Sequence, residues 1–267
     1  MSDSGEVWAG GTVAGLSLRN VVCSYGAVRA VDEVSFDIMS EDIVGLIGPN
    51  GSGKTTLLAA VAGDVRVRSG SVKFFGRDIT RQRPDAIARL GLVRSFQQPR
   101  MFASATVREN VSWACDIAKH SKTRGASAEG VANAIEMAGL TSVLDKPAVS
   151  LTTGQLRSLG LVLALTAGPR LLLLDEPAAG LSSHEGEALR RLLSELPGSG
   201  MTVVVVDHDM SFLLPLVSRL LVLSNGRLIA DGSPDCVVTM PEVLEVYLGR
   251  NYVRDSSGVA EARSPRL

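Results

Sequence analysis

The chain has 267 residues, 45% of them hydrophobic, enough to pack one large domain or two small ones. Its 27 basic and 28 acidic side chains nearly cancel, which leaves no chain-wide basic field for nucleic acid. Cys23, Cys115 and Cys236 lie far apart without metal-ligand spacing and read as reduced thiols. With no apolar run of the ~18 residues a membrane span needs and no signal-peptide pattern at the start, the chain is expected to stay in the cytoplasm.

Residues 1–15 carry Gly, Ser and Asp without periodicity and are expected to be a mobile tail. Residues 16–24 and 31–38 then alternate apolar and polar side chains, the pattern of half-buried strands, with Tyr25-Gly26 near the join. They predict an antiparallel ribbon, continued by residues 71–75 after a turn at Gly70. Tyr25 is placed either for plain packing at a strand end or for stacking on a base.

Between the apolar run 43–47 and the helix-forming run 56–62 stands Gly48-Pro49-Asn50-Gly51-Ser52-Gly53-Lys54-Thr55. The spacing matches G-x-x-x-x-G-K-[ST], the P-loop, in full. A buried strand, a glycine-rich turn and a helix aim several backbone N–H groups at one concave spot beside a positive helix end, so a polyphosphate fits there. Gly51 and Gly53 let the backbone approach phosphate oxygens, Lys54 reaches the terminal phosphates, and the Thr55 hydroxyl can ligate magnesium.

Residues 84–90 predict a short helix and 92–95 a strand that runs into Phe96-Gln97-Gln98-Pro99. The Gln97 amide there can reach Mg²⁺ or an attacking water, or simply sit in a surface loop. From Thr106 to about Leu165 the pattern is helical: 107–118, then 128–138 with Ser127 as N-cap, then a run from Gly154. Pro99 and Gly168-Pro169 bound this stretch as a helical insert.

Leu171-Leu172-Leu173-Leu174-Asp175-Glu176-Pro177 fits a strand buried on both faces of a parallel sheet, with two carboxylates at its ligand-binding end. As a Walker B strand it would give Asp175 to Mg²⁺ and Glu176 to the water attacking a γ-phosphate. Residues 201–206 repeat the pattern and end in Asp207-His208-Asp209, which brings His208 to the same edge. Residues 220–223 and 227–230 read as strands joined at Asn225-Gly226, 241–248 as a short helix, and 254–267 as a polar tail.

Leu151-Thr152-Thr153-Gly154-Gln155 heads the helix before the Walker B strand. With it the motif set stands in the order and approximate spacing of ATP-binding-cassette ATPases, which the chain resembles over about 16–249. Asp175-Glu176-Pro177-Ala178-Ala179-Gly180-Leu181, Asp207-His208-Asp209-Met210 and Tyr247-Leu248-Gly249 look more narrowly like the ATP-binding subunits of branched-chain amino acid importers and their relatives, urea importers included. The resemblance implies a P-loop NTPase fold: a RecA-like α/β core with a mostly parallel sheet, an antiparallel β subdomain and a helical subdomain at about 98–166. The ATPase domain would span 16–250, with a flexible tail at 251–267.

It further implies that Tyr25 stacks on adenine and that Gly48 to Thr55, with Thr56, cradle the phosphates of ATP. Thr55, Gln97 and Asp175 would serve Mg²⁺, Gln97 linking the γ-phosphate to a permease. Glu176 becomes the catalytic carboxylate and His208 the switch histidine. In this family two cassettes close head to tail, so Thr152, Gly154 and Gln155 would complete a second cassette's site. Arg100, Met101 and Phe102 are candidates for contact with an integral-membrane permease, at the cytoplasmic face of the membrane.

This chain departs from the family at Thr153, where glycine is usual, at Ser158 and Leu163, where arginines are common, and at Ser182, where an acidic or amide residue is usual. Its own P-loop and Walker B halves are therefore expected to be competent and its signature to serve a partner's site less well. The function expected is ATP hydrolysis powering import of a small polar solute, branched-chain amino acids foremost. The rivals are a cassette for urea or for lipopolysaccharide export, and a nucleotide-gated structural subunit of low turnover.

Overall fold

The structure is a computed structural model that describes residues 14–95, 101–121, 123 and 125–248. In chain order the strands β1 (Ala14–Tyr25), β2 (Val28–Met39) and β3 (Ile43–Ile47) lead into α1 (Lys54–Val61). Then come β4 (Ser69–Phe74), β5 (Arg77–Asp78), α2 (Pro84–Arg89) and β6 (Leu92–Arg94). Three helices follow, α3 (Val107–His120), α4 (Ala128–Met137) and α5 (Thr153–Leu165). The chain returns through β7 (Leu171–Asp175), α6 (Ser183–Glu195), β8 (Thr202–Val206) and α7 (Met210–Leu213). It closes with β9 (Arg219–Ser224), β10 (Arg227–Gly232), α8 (Pro234–Val237) and α9 (Pro241–Leu248).

These strands make two sheets. An antiparallel one has the order β2-β1-β4-β5, and a six-stranded one the order β10-β9-β3-β8-β7-β6. In the second, β9, β3, β8, β7 and β6 run parallel and β10 adds antiparallel to β9 at one edge. The unbroken apolar runs have a direct cause here. Along β7, Leu172 and Leu174 pack into a core shared with α3 to α6, while Leu171 and Leu173 pack into a second core shared with α1 and the antiparallel sheet. Val203 and Val205 against Val204 and Val206 divide in the same way along β8. A strand covered on both faces has no solvent side to be polar on.

Two expected boundaries move. Ala14 and Gly15 belong to β1 rather than to a tail, because Ala14 is in register with Met39 and the Gly15 carbonyl accepts the Phe75 N–H. Gly70 lies inside β4, not in a turn before it; a β-carbon there would stand 2.3 Å from the Asn20 carbonyl oxygen at φ +88°, so β4 can pass β1 only with glycine. The sequence reading offered no element for 183–195, where α6 lies. Its signal was the Ser182/Glu185 capping box, in which each side chain bonds the other residue's backbone N–H.

Among the described residues no helix is long and apolar enough to cross a membrane. The three cysteines are free thiols, Cys23 buried and Cys236 exposed.

Candidate functional site

Because β3, β8 and β7 are adjacent and parallel, their carboxyl ends share one sheet edge. That register brings the loop 48–53, Asp175-Glu176 and Asp207-His208 together from three distant stretches of chain.

The loop is shaped by its glycines. A β-carbon on Gly48 would stand 2.1 Å from the Leu223 carbonyl oxygen, and one on Gly53 the same distance from that of Ala30. The Ser52 N–H bonds the Pro49 carbonyl at 3.1 Å, and the Ser52 carbonyl accepts from Gly226 N–H at 2.9 Å, which ties the loop to the β9–β10 turn. Lys54 folds back over the loop, donating to the Gly48 and Pro49 carbonyls at 2.7 and 3.1 Å. Burial pushes its ammonium pKa down, and the carboxylates of Glu176 and Asp175 oppose that shift. Thr55 is exposed and Thr56 half-buried in the first turn of α1, whose early N–H groups have no partner within the helix. Pro49, Asn50 and Gly51 form the outer rim of the loop, and Tyr25 is 56% exposed at the end of β1.

Two buried oxygens line the site. Ser52 Oγ and Asp175 Oδ1 are enclosed without a hydrogen-bond partner, a costly state that a phosphate oxygen and a cation would respectively relieve. The residues therefore fit a nucleotide with a divalent ion. Among the described residues no cluster of three or more His, Cys, Asp or Glu is placed to hold a metal alone. Gln97 lies outside the described residues.

Glu176 sits just past β7 with φ +50°, a left-handed conformation that costs a non-glycine residue about 1–3 kcal/mol and recurs at active sites. Its backbone is held from two sides: the Glu176 N–H donates to the Val206 carbonyl at 2.7 Å, and Arg157 Nη1 of α5 donates to the Glu176 carbonyl at 2.8 Å. His208 Nδ1 is 3.8 Å from Glu176 Oε1, beyond hydrogen-bond reach but near enough for both to face one small group. The buried Asp207 fixes this arrangement, accepting from the His208 and Asp209 N–H groups through Oδ1 and from Ala178 N–H through Oδ2.

Sequence reasoning missed Arg94. Its guanidinium donates to Asp175 Oδ2 at 3.1 Å and reaches Asp64 at 3.4 Å, so β6, the end of α1 and the Walker B carboxylate are joined by a largely buried charge pair. The only signal was an arginine three positions before Gln97, which in a strand says nothing about its partner.

The signature holds another surprise. The Thr152 hydroxyl and the Gln155 amide bond each other's backbone N–H in a capping box at the start of α5. Gly154 is buried, and a β-carbon on it would stand 2.0 Å from Glu185 Oε1. Thr153 is exposed in the first turn. Ser182, unusual by family standards, is the N-cap of α6, a task for which serine suits as well as aspartate or asparagine.

Met101 packs against the helical side of the core, whereas Phe102 is 61% exposed and meets Trp113 edge-on at 4.9 Å. With Ile117 they form an exposed apolar groove on α3. Arg100 lies outside the described residues.

The sequence profile of the ABC transporter family matches residues 31–179. This chain belongs to that family. It is 32% identical to the high-affinity branched-chain amino acid transport ATP-binding protein BraF of Pseudomonas aeruginosa, over 89% of this chain and 96% of BraF. It is equally similar to LivG, the corresponding protein of Escherichia coli, over 88% and 97%. Among solved structures, an ATP-binding cassette of an ABC transporter in its ADP conformation matches with a TM-score of 0.77 at 29% identity, covering 89% of this chain and 99% of the other. A dimeric cassette in a post-hydrolysis state, bound to ADP and phosphate, matches with a TM-score of 0.71 at 26% identity over 82% and 98%.

Proposed function

We propose that this chain is the ATP-binding and hydrolysing subunit of an ABC importer, working with separate permease subunits that carry a small polar solute, branched-chain amino acids foremost. The observation that carries the reading is the convergence of the P-loop, Asp175, Glu176 and His208 on one sheet edge, with Ser52 Oγ and Asp175 Oδ1 enclosed and unsatisfied there. The likeness to BraF and LivG supports the cargo. The chain would sit at the cytoplasmic face of the membrane, with the helical subdomain at about 98–166 facing the permease through Gln97 and the apolar groove of Phe102, Trp113 and Ile117.

Bound ATP would draw Lys54 off the Gly48 and Pro49 carbonyls onto its terminal phosphates, while the loop N–H groups and Ser52 take phosphate oxygens. Tyr25 would stack on the adenine. Thr55, Asp175 and Gln97 would hold Mg²⁺, which neutralises phosphate charge when bound. Glu176 would accept the proton of the attacking water and His208 would hold the γ-phosphate. The first-turn N–H groups at Gly154 would reach a second cassette's ATP, with Thr152 and Gln155 beside them. Because Thr153 adds a β-branched side chain in the first turn, this signature would serve that second site less well. In a heterodimer the two composite sites should then turn over unequally, which single-turnover phosphate release with each site inactivated in turn can read.

Glu176→Gln tests the central assignment. Phosphate release should fall by roughly 10²- to 10⁴-fold, the usual worth of a positioned base, while ATP affinity stays within a few-fold. Undiminished release would refute the assignment. Purification from the native membrane should bring down permease subunits, and solute-stimulated ATPase in vesicles would name the cargo. If release is slow and independent of Glu176, the low-turnover structural subunit is the better reading.

A further inference from the structure

Arg157 is the single basic side chain on α5, the helix that opens with the signature, and its Nη1 donates not to a carboxylate but to the main-chain carbonyl of Glu176 at 2.8 Å. Glu176 itself is held at φ +50°. The other tie on the same residue, Glu176 N–H to Val206 O at 2.7 Å, anchors it to the rigid centre of the parallel sheet. The two bonds clamp the backbone of Glu176 between a sheet strand and a helix of the helical subdomain. The Glu176 side chain has no comparable restraint; His208 Nδ1 lies 3.8 Å from its Oε1, beyond hydrogen-bond reach.

We propose that Arg157 is a positioning residue for ATP hydrolysis: from the signature helix it sets the Glu176 peptide, and through it the direction of the Glu176 carboxylate. A shift of α5 is then felt within the same chain at the general base, so the position of the signature and the readiness of the base are linked by one hydrogen bond. The inference rests on the reading of Glu176 as general base.

The test compares phosphate release and fluorescent-ATP binding in the full chain and in Arg157→Met, Arg157→Lys, Glu176→Gln and the Arg157→Met/Glu176→Gln double variant. A lysine keeps one long-reach N–H donor for the carbonyl, whereas methionine keeps only the bulk. Arg157→Met should lower kcat about tenfold or more with KM and ATP affinity within roughly twofold, as for an interaction that matters only in the transition state. Arg157→Lys should recover most of the loss, and the double variant should be no slower than Glu176→Gln, since residues acting as one unit are not additive.

The proposal is overturned by wild-type kcat in Arg157→Met, by no recovery in Arg157→Lys, by further slowing in the double variant, or by loss of ATP binding in Arg157→Met, which would mark a merely structural tie. A Glu176→Gln chain with normal turnover overturns the general-base reading and this proposal together. A silent Glu176→Gln beside a fully active Arg157→Met overturns this proposal alone.

Discussion

At Gly48, Gly51 and Gly53 the same substitution meets three different environments. Alanine at Gly48 or Gly53 would drive a β-carbon to 2.1 Å from a backbone carbonyl that cannot move aside, at φ +152° and +104°. Alanine at Gly51 meets nothing within 4 Å and suffers only the strain of φ +78°, about 1–2 kcal/mol. Gly51→Ala should therefore give a folded chain with a modestly lowered Tm, whereas Gly48→Ala and Gly53→Ala should lose ATP binding and several times more stability. Thermal melts with and without ATP would check the order. The P-loop motif fixes Gly48 and Gly53, but the steric reason comes from Leu223 and Ala30, strands away in sequence.

Helix starts carry a local signal, a cap and its partner three residues apart, yet the sequence reading used it only at Ser127 and passed over α6 altogether. Thr106 with Glu109, Thr152 with Gln155 and Ser182 with Glu185 all form reciprocal capping boxes, and Ser127 caps α4. Ser182→Ala should cost about 1 kcal/mol in urea unfolding, and Ser182→Asp should also destabilise, because the Ser182 hydroxyl donates to Glu185 Oε2 at 2.7 Å and a carboxylate there would face another. A Ser182→Asp chain as stable as wild type would show that Glu185 turns away from the new carboxylate. Less legible was the division of labour within one element. On α3, Val107 and Val111 are buried while Trp113 and Ile117 are exposed, and one apolar pattern cannot say which face meets the core.

Across the whole molecule, several carboxylates lie below their ordinary pKa because the fold gives them donors. Arg29 and then Arg227 hydrogen-bond Asp32, Ser211 bonds Asp209, and the N-cap backbone groups of Thr106 and Ser182 bond Glu109 and Glu185. The unfolded chain takes up these protons first, at about the ordinary values of 3.8 for Asp and 4.5 for Glu. Their stabilisation is therefore complete above those values and is lost as pH falls through and below them. The melting temperature should be flat just above pH 5 as far as these groups decide it and should drop progressively below about pH 4.5; a flat profile down to pH 3 would show that these bonds add nothing.

By itself the sequence determined the phosphate loop, the Walker B carboxylates, the buried parallel strands and the Ser127 cap of α4. Each depends on residue types at a fixed short spacing, where backbone geometry leaves one solution. Only the tertiary structure decided that Arg94 pairs with Asp175, that Arg157 holds the Glu176 carbonyl and that Glu185 fills the space over Gly154. Those contacts join residues 81, 19 and 31 positions apart. A long polar side chain carries no periodicity, so its partner is fixed only when packed strands and helices bring the two together.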